Sequence, residues 1–190
     1  MSGFDHFSHL APFYDRAIPF KSLEGLLMYG HFMGDEIVLD AGGGTGRVAE
    51  ALMPHVRNVV VADLSKGMLG QAAQKGFDAL LTQVELLPFQ NETFNRVVMF
   101  DALHHVINQT NAANEMWRIL TPGGMVIIQE PNIHKFPVKL IALAEKIALM
   151  RSHFLSPKEI IQLFDRFPGE TTEVDDEMST WIIVRKPNRF

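Results

Sequence analysis

The run Val38-Leu39-Asp40-Ala41-Gly42-Gly43-Gly44-Thr45-Gly46-Arg47 joins an apolar strand to a helix through a carboxylate and a glycine at every second position. Glycines at such a turn adopt torsions closed to other residues and let the backbone approach a bulky ligand. The helix start beyond them offers N–H groups to something polar. This is the chemistry of a cradle for a nucleotide-type cofactor. A second carboxylate, Asp63, ends the apolar run Val59-Val60-Val61-Ala62. It falls about 20 residues past the loop, where an acid pairs with ribose hydroxyls.

The spacing separates one cofactor from another. Dinucleotide folds carry G-x-G-x-x-G, because a pyrophosphate rests on the helix start. Here the third glycine, Gly46, arrives one position early, and Asp40 precedes the loop. A carboxylate there repels a pyrophosphate and attracts an ammonium. S-adenosylmethionine carries that ammonium, a sulfonium charge and no phosphate, and it is the cofactor these residues favour.

The surrounding elements must hold these groups. Buried-type apolar runs over Glu36–Asp40, Val59–Asp63, Ala79–Thr82, Arg96–Asp101 and Met125–Glu130 alternate with helical patterns over Gly46–Met53, Lys66–Lys75 and Gln109–Leu120. Such alternation predicts an α/β, doubly wound, mostly parallel sheet with its ligand at the strands' carboxyl ends. Thr121-Pro122-Gly123-Gly124 reads as a turn that stops the third helix. Ser156-Pro157-Lys158-Glu159 reads as a capping box opening a helix through Phe164. Thr171–Val174 and Trp181–Arg185 then supply two strands joined by a short acidic link, hence antiparallel. The expected sheet has seven strands, the last antiparallel.

At 190 residues the chain suits a single domain, 1–190, and 47% hydrophobic residues can fill its core. A net charge of −5 without a basic cluster argues against nucleic acid. The lack of cysteine removes disulfides, zinc–thiolate sites, iron–sulfur clusters and a cysteine nucleophile. The histidines show no metal-site spacing, so no metal is expected. No signal peptide or membrane span is read, and a cytoplasmic protein acting on a small-molecule substrate is expected. The oligomeric state is not legible, and a homodimer is open.

With these motifs in order, the chain resembles the class I S-adenosylmethionine-dependent methyltransferases, a Rossmann-like fold. Among them it is most similar to the group that includes ubiquinone/menaquinone-biosynthesis methyltransferases. The resemblance rests on Val38–Gly46, Asp63-Leu64-Ser65-Lys66-Gly67-Met68-Leu69, Leu87-Pro88-Phe89 with Phe94, Asp101-Ala102-Leu103-His104-His105, and Arg118-Ile119-Leu120-Thr121-Pro122-Gly123-Gly124. It implies that Asp40, Gly42, Gly44 and Gly46 cradle the methionine part and Asp63 the ribose, with S-adenosylhomocysteine as product. It also implies that Leu64 and Met68 flank the adenine, that Gln83 and Val84 meet its edge, and that Phe100 lies near the sulfur. Relatives commonly carry Asp where this chain has Gln83. The Asn/Asp-Pro-Pro-Tyr/Phe motif of base-amino methyltransferases is replaced by Asp101-Ala102-Leu103-His104, which favours a small molecule.

Transfer from a sulfonium needs positioning first, and a base only where the acceptor must lose a proton. His104 and His105 are the acid/base candidates, with structural hydrogen bonding as their other reading. The resemblance implies an N-terminal lid (residues 1–30) over the cofactor, with Ala11-Pro12-Phe13-Tyr14-Asp15 similar to its signature, so Tyr14 is a further catalytic candidate facing the methyl group, with packing of these aromatics on the core as the other reading. The apolar stretch Phe136–Met150, within a substrate-side insertion (133–155), suits an apolar or aromatic acceptor, a core helix or a dimer contact. Competing functions are a cofactor-binding regulatory or partner protein without catalysis and a nicotinamide-dependent oxidoreductase. A divalent-metal enzyme using Asp101 lacks its further ligands in register.

Overall fold

Long apolar runs can be buried on both sides only inside a sheet covered by helices on each face, and that is how this chain folds. The computed structural model describes residues 11, 14–16, 18–135, 152–176 and 178–189. Among these, one sheet of seven strands comprises β1 (Ile37–Ala41), β2 (Asn58–Asp63), β3 (Asp78–Leu81), β4 (Phe94–Phe100), β5 (Leu120–Pro131), β6 (Glu170–Asp176) and β7 (Ser179–Arg185), in the order β3-β2-β1-β4-β5-β7-β6. The helices are α1 (Leu23–Gly30), α2 (Arg47–Leu52), α3 (Lys66–Gln74), α4 (Gln109–Ile119) and α5 (Pro157–Gln162). All strand pairings are parallel except those of β7, which runs antiparallel to both β5 and β6.

The two-residue period of each strand divides the core cleanly. Leu39, Val97, Met99, Val126, Ile128, Ile182 and Val184 pack with α4 and α5. Val38, Val61, Val98, Phe100, Ile127 and Trp181 pack with α1, α2 and α3. The order of strands reverses between β1 and β4, so their carboxyl ends open a crevice where a parallel sheet binds ligands.

Boundaries shift for local reasons. The helix opened by Ser156 ends at Gln162, because the N–H groups of Leu163 and Phe164 bond three residues back, to Ile160 and Ile161 (3.1 and 2.9 Å). That tightens the chain into a 3₁₀-like turn, although Phe164 is still buried. Thr121–Gly124 does not leave the sheet as a turn. Phe94 pairs with Leu120 and Arg96 with Met125, so the extra residues bulge out within β5. Gly123 takes φ +74° there, its N–H donating to the carbonyls of Lys186 and Pro187 (3.1 and 3.3 Å). Helix α1 is an element that the sequence reading did not separate from the lid. The Phe136–Met150 stretch, and the lid apart from residues 11, 14–16 and 18 onward, lie outside the described residues.

Trp181 fixes α1 to the sheet. It is 1% exposed, meets Phe100 and Tyr29 edge-on at 5.4 and 5.1 Å, and lies against Gly25, where a Cβ would come within 2.8 Å of its ring. Trp181→Ala should lower the unfolding free energy by about 3–5 kcal/mol, read as a shifted urea midpoint.

Candidate active site

The glycine loop leaves β1 in an unusual backbone path. Gly42, Gly44 and Gly46 all have positive φ, at 71°, 55° and 73°. Alternate left-handed residues fold the loop back, so that the N–H groups of Gly42 and Gly43 both reach the carbonyl of Ala62 on β2 (2.7 and 3.2 Å). The Gly44 N–H donates to Asp63 Oδ2 at 2.9 Å, and Asp63 Oδ1 accepts from the Ser65 N–H at 2.7 Å. Asp63 thereby ties the loop to the start of α3.

Asp40 lies beneath this loop, 1% exposed, and neither carboxylate oxygen closes a hydrogen bond among the described residues. Burial pushes its carboxyl up to about 7, opposed by the nearby Ala49 N–H and the Arg47 guanidinium. Gly43 must be glycine for this packing, because a Cβ there would stand 2.5 Å from the Asp40 carboxyl carbon. A buried acceptor pair without a donor, under a loop that only glycine can form, fits an ammonium-bearing cofactor. Asp40, the loop backbone and Asp63 would hold it.

The N-terminal segment closes over the loop. Asp15 accepts a hydrogen bond from the Thr45 hydroxyl and another from Lys75 at 2.6 Å, and Lys75 also pairs with Glu50 at 2.8 Å. Tyr14 lies against Arg47, whose guanidinium carbon is 5.9 Å from its ring centroid and 6.0 Å from that of Phe20. Burial raises the Tyr14 pKa, with Arg47 opposing and the Asp101, Asp63 and Asp15 carboxylates adding to it. Arg47 donates to Asp101 at 2.8 Å. Burial likewise raises the Asp101 carboxyl against the pull of Arg47. Asp101 has φ +48° at the end of β4, a strained conformation that turns the chain sharply.

Beyond that turn, His104 is buried and His105 half-buried. His104 Nδ1 lies 2.6 Å from Glu130 Oε2, and its ring stacks on Phe154 at 4.3 Å and 11°. His105 Nδ1 lies 3.3 Å from the Ser152 hydroxyl, and burial pushes its pKa down to about 3.

The structure thus gathers Asp40, Gly42, Gly44, Gly46 and Asp63 at the ends of β1 and β2, with Tyr14 above them. His104 and His105 follow β4. Leu64 is exposed and Gln83 is at the surface, its carbonyl accepting from the Leu86 N–H at 3.1 Å. Met68 and Val84 are core residues, and Phe100 is buried between Phe20 and Trp181. Sequence reasoning did not single out Asp15, Arg47 or Glu130. Arg47 directly follows the last glycine and Asp15 follows the lid tyrosine, which was signal enough to question them.

Residues 39–128 match the family model described as a methyltransferase domain. The chain resembles the class I methyltransferases. A ubiquinone/menaquinone biosynthesis C-methyltransferase of Coxiella burnetii is 36% identical over 104 residues, 49% of this chain and 42% of that protein. The chain therefore matches under half the length of this relative. An S-adenosylmethionine-dependent methyltransferase structure from Thermotoga maritima superposes with TM-score 0.73 at 19% identity, covering 95% of this chain and 98% of the other. The [4+2]-cyclase SpnF superposes at 0.72 and 14% identity, covering 88% and 80%. The seven-stranded sheet with its antiparallel last strand is the fold these structures share with it.

A carboxyl held near 7 in the fold, against 3.8 for its ordinary value, stabilises the protein in its protonated form. That contribution is complete below about pH 4 and is lost as pH rises through about 7. Asp40→Asn removes the loss. Without cofactor, urea unfolding of wild type should weaken between pH 5 and 8 by roughly 2–3 kcal/mol more than that of the variant.

Proposed function

We propose that this chain binds S-adenosylmethionine and transfers its methyl group to a small apolar or aromatic molecule. The observation that carries the reading is the buried Asp40 carboxylate beneath the glycine loop, whose oxygens close no hydrogen bond among the described residues, with Asp63 bracing the same loop. When bound, the cofactor supplies a methyl group on positively charged sulfur, already activated for in-line displacement.

Asp40 offers the counter-charge for the ammonium, and Asp63 keeps acceptor capacity for ribose hydroxyls while bracing the loop. Tyr14, Phe20 and the Arg47–Asp101 pair wall the crevice beside β4 and exclude water from it. We give the proton-accepting role to His104 and not to His105, whose ring, with a pKa of about 3, holds a proton too weakly near neutrality. An apolar or aromatic acceptor is supported by the composition of 136–150 and by the aromatic stack of His104 on Phe154. The single domain, with its lid (1–30) and substrate-side insertion (133–155), belongs to the same proposal. No helix among the described residues is long and apolar enough to cross a membrane.

Calorimetric titration with S-adenosylmethionine, S-adenosylhomocysteine and NAD tests the cofactor. Micromolar binding of the two adenosyl compounds and none of NAD is expected, with Asp63→Ala weakening it about 10- to 100-fold. Binding of NAD alone would return the oxidoreductase reading.

Because Asp40 must ionise to pair with an ammonium, affinity for S-adenosylhomocysteine should rise about tenfold from pH 6 to pH 8. Titrations in buffers of different ionisation enthalpy should show about half a proton released near pH 7. Asp40→Asn should abolish both effects. A flat pH profile for wild type would remove Asp40 from the cofactor site.

A further inference from the structure

The turn after β4 is held by a side chain that takes no part in the glycine cradle. Glu130, at the carboxyl end of β5, is 3% exposed. Its Oε1 accepts the N–H groups of Ala102 and Leu103 at 2.9 and 2.8 Å, and its Oε2 meets His104 Nδ1 at 2.6 Å. An ionised carboxylate satisfies all three contacts as acceptor, and the hydrogen of the third then comes from Nδ1. A neutral imidazole with its proton on Nδ1 keeps its accepting lone pair on Nε2.

The ring has little freedom to choose otherwise. Phe154 lies on it at 4.3 Å, the His105 ring stands 4.1 Å away, and the His153 N–H donates to the His104 carbonyl at 2.6 Å. Among the described residues, the charged and titratable groups that bear on it include Glu130 from β5, His105 from the same turn and Asp101 after β4.

We propose that Glu130 is a positioning residue that holds His104 as the Nδ1–H tautomer and so makes Nε2 its basic nitrogen. The proposal rests on the methyl-transfer reading, which it deepens. A built base suits an acceptor whose reacting atom carries a hydrogen that must leave, a hydroxyl or an acidic carbon, over a tertiary amine or thioether that needs none. Glutamine in place of Glu130 cannot reproduce the contacts. Its carbonyl can serve either the two backbone N–H groups or Nδ1–H, and its amide nitrogen then faces a donor on the other side.

Long-range proton–nitrogen NMR of the ¹⁵N-labelled full chain tests this without an acceptor, with His104→Gln assigning the ring. At pH 8 His104 should show a protonated Nδ1 and a pyridine-type Nε2. Glu130→Gln should raise the Nε2–H tautomer severalfold while S-adenosylhomocysteine affinity stays within about threefold. An Nε2–H tautomer in wild type or an unchanged tautomer in folded Glu130→Gln would overturn the proposal. Should the variant not fold, the wild-type spectra decide alone. Failure of wild type to bind S-adenosylhomocysteine would strike the cofactor reading and leave the tautomer result standing.

Discussion

A carboxylate buried without a hydrogen-bond donor is costly, and the crevice is arranged around the cost of Asp40. It sits at the second-last position of β1, on the face that otherwise packs Val38, Val61 and Val98 against helices. Its nearest cation, Arg47, is committed to Asp101. The loop above it comes so close that Gly43 leaves no room for a side chain. The surrounding fold can carry the strain because both sheet faces are closed by apolar packing, with Trp181 sealing the α1 side.

Asp15 and the glycine loop are joined through a few polar contacts. Asp15 joins Thr45, inside the glycine loop, to Lys75, which caps α3. Lys75 in turn reaches Glu50 on α2. One carboxylate therefore links residue 15 to α3 directly and, through Lys75, to α2. The partly exposed pairs contribute little stability one by one, and their value is orientation, setting Tyr14 over Arg47.

Much of this was legible because it is local. The strands are continuous apolar runs, the glycines alternate, and Ser156 with Glu159 forms its capping box as the four residues predict. Asp40 and Asp63 announced themselves by ending strands. What the residues could not show is pairing across long separations. Glu130 lies 26 residues from His104 and reads as the polar end of a strand, and Asp15 lies 60 from Lys75. Thr121-Pro122-Gly123-Gly124 has the composition of a turn, yet β7 and the residues after it offer partners that keep it in the sheet. In each case a tertiary neighbour outweighed a local preference.

The period of the strands also separates the work of the site. Asp40 lies on the face of β1 shared with α1, α2 and α3, whereas Glu130 falls in phase with Val126 and Ile128 on the α4 face. Asp40 and Glu130 thus lie on opposite faces of one sheet. The same fold in a [4+2]-cyclase shows how little the sheet alone dictates the reaction. What distinguishes this chain is therefore to be sought after β4, where a strained Asp101 turns two N–H groups and an imidazole onto one buried carboxylate.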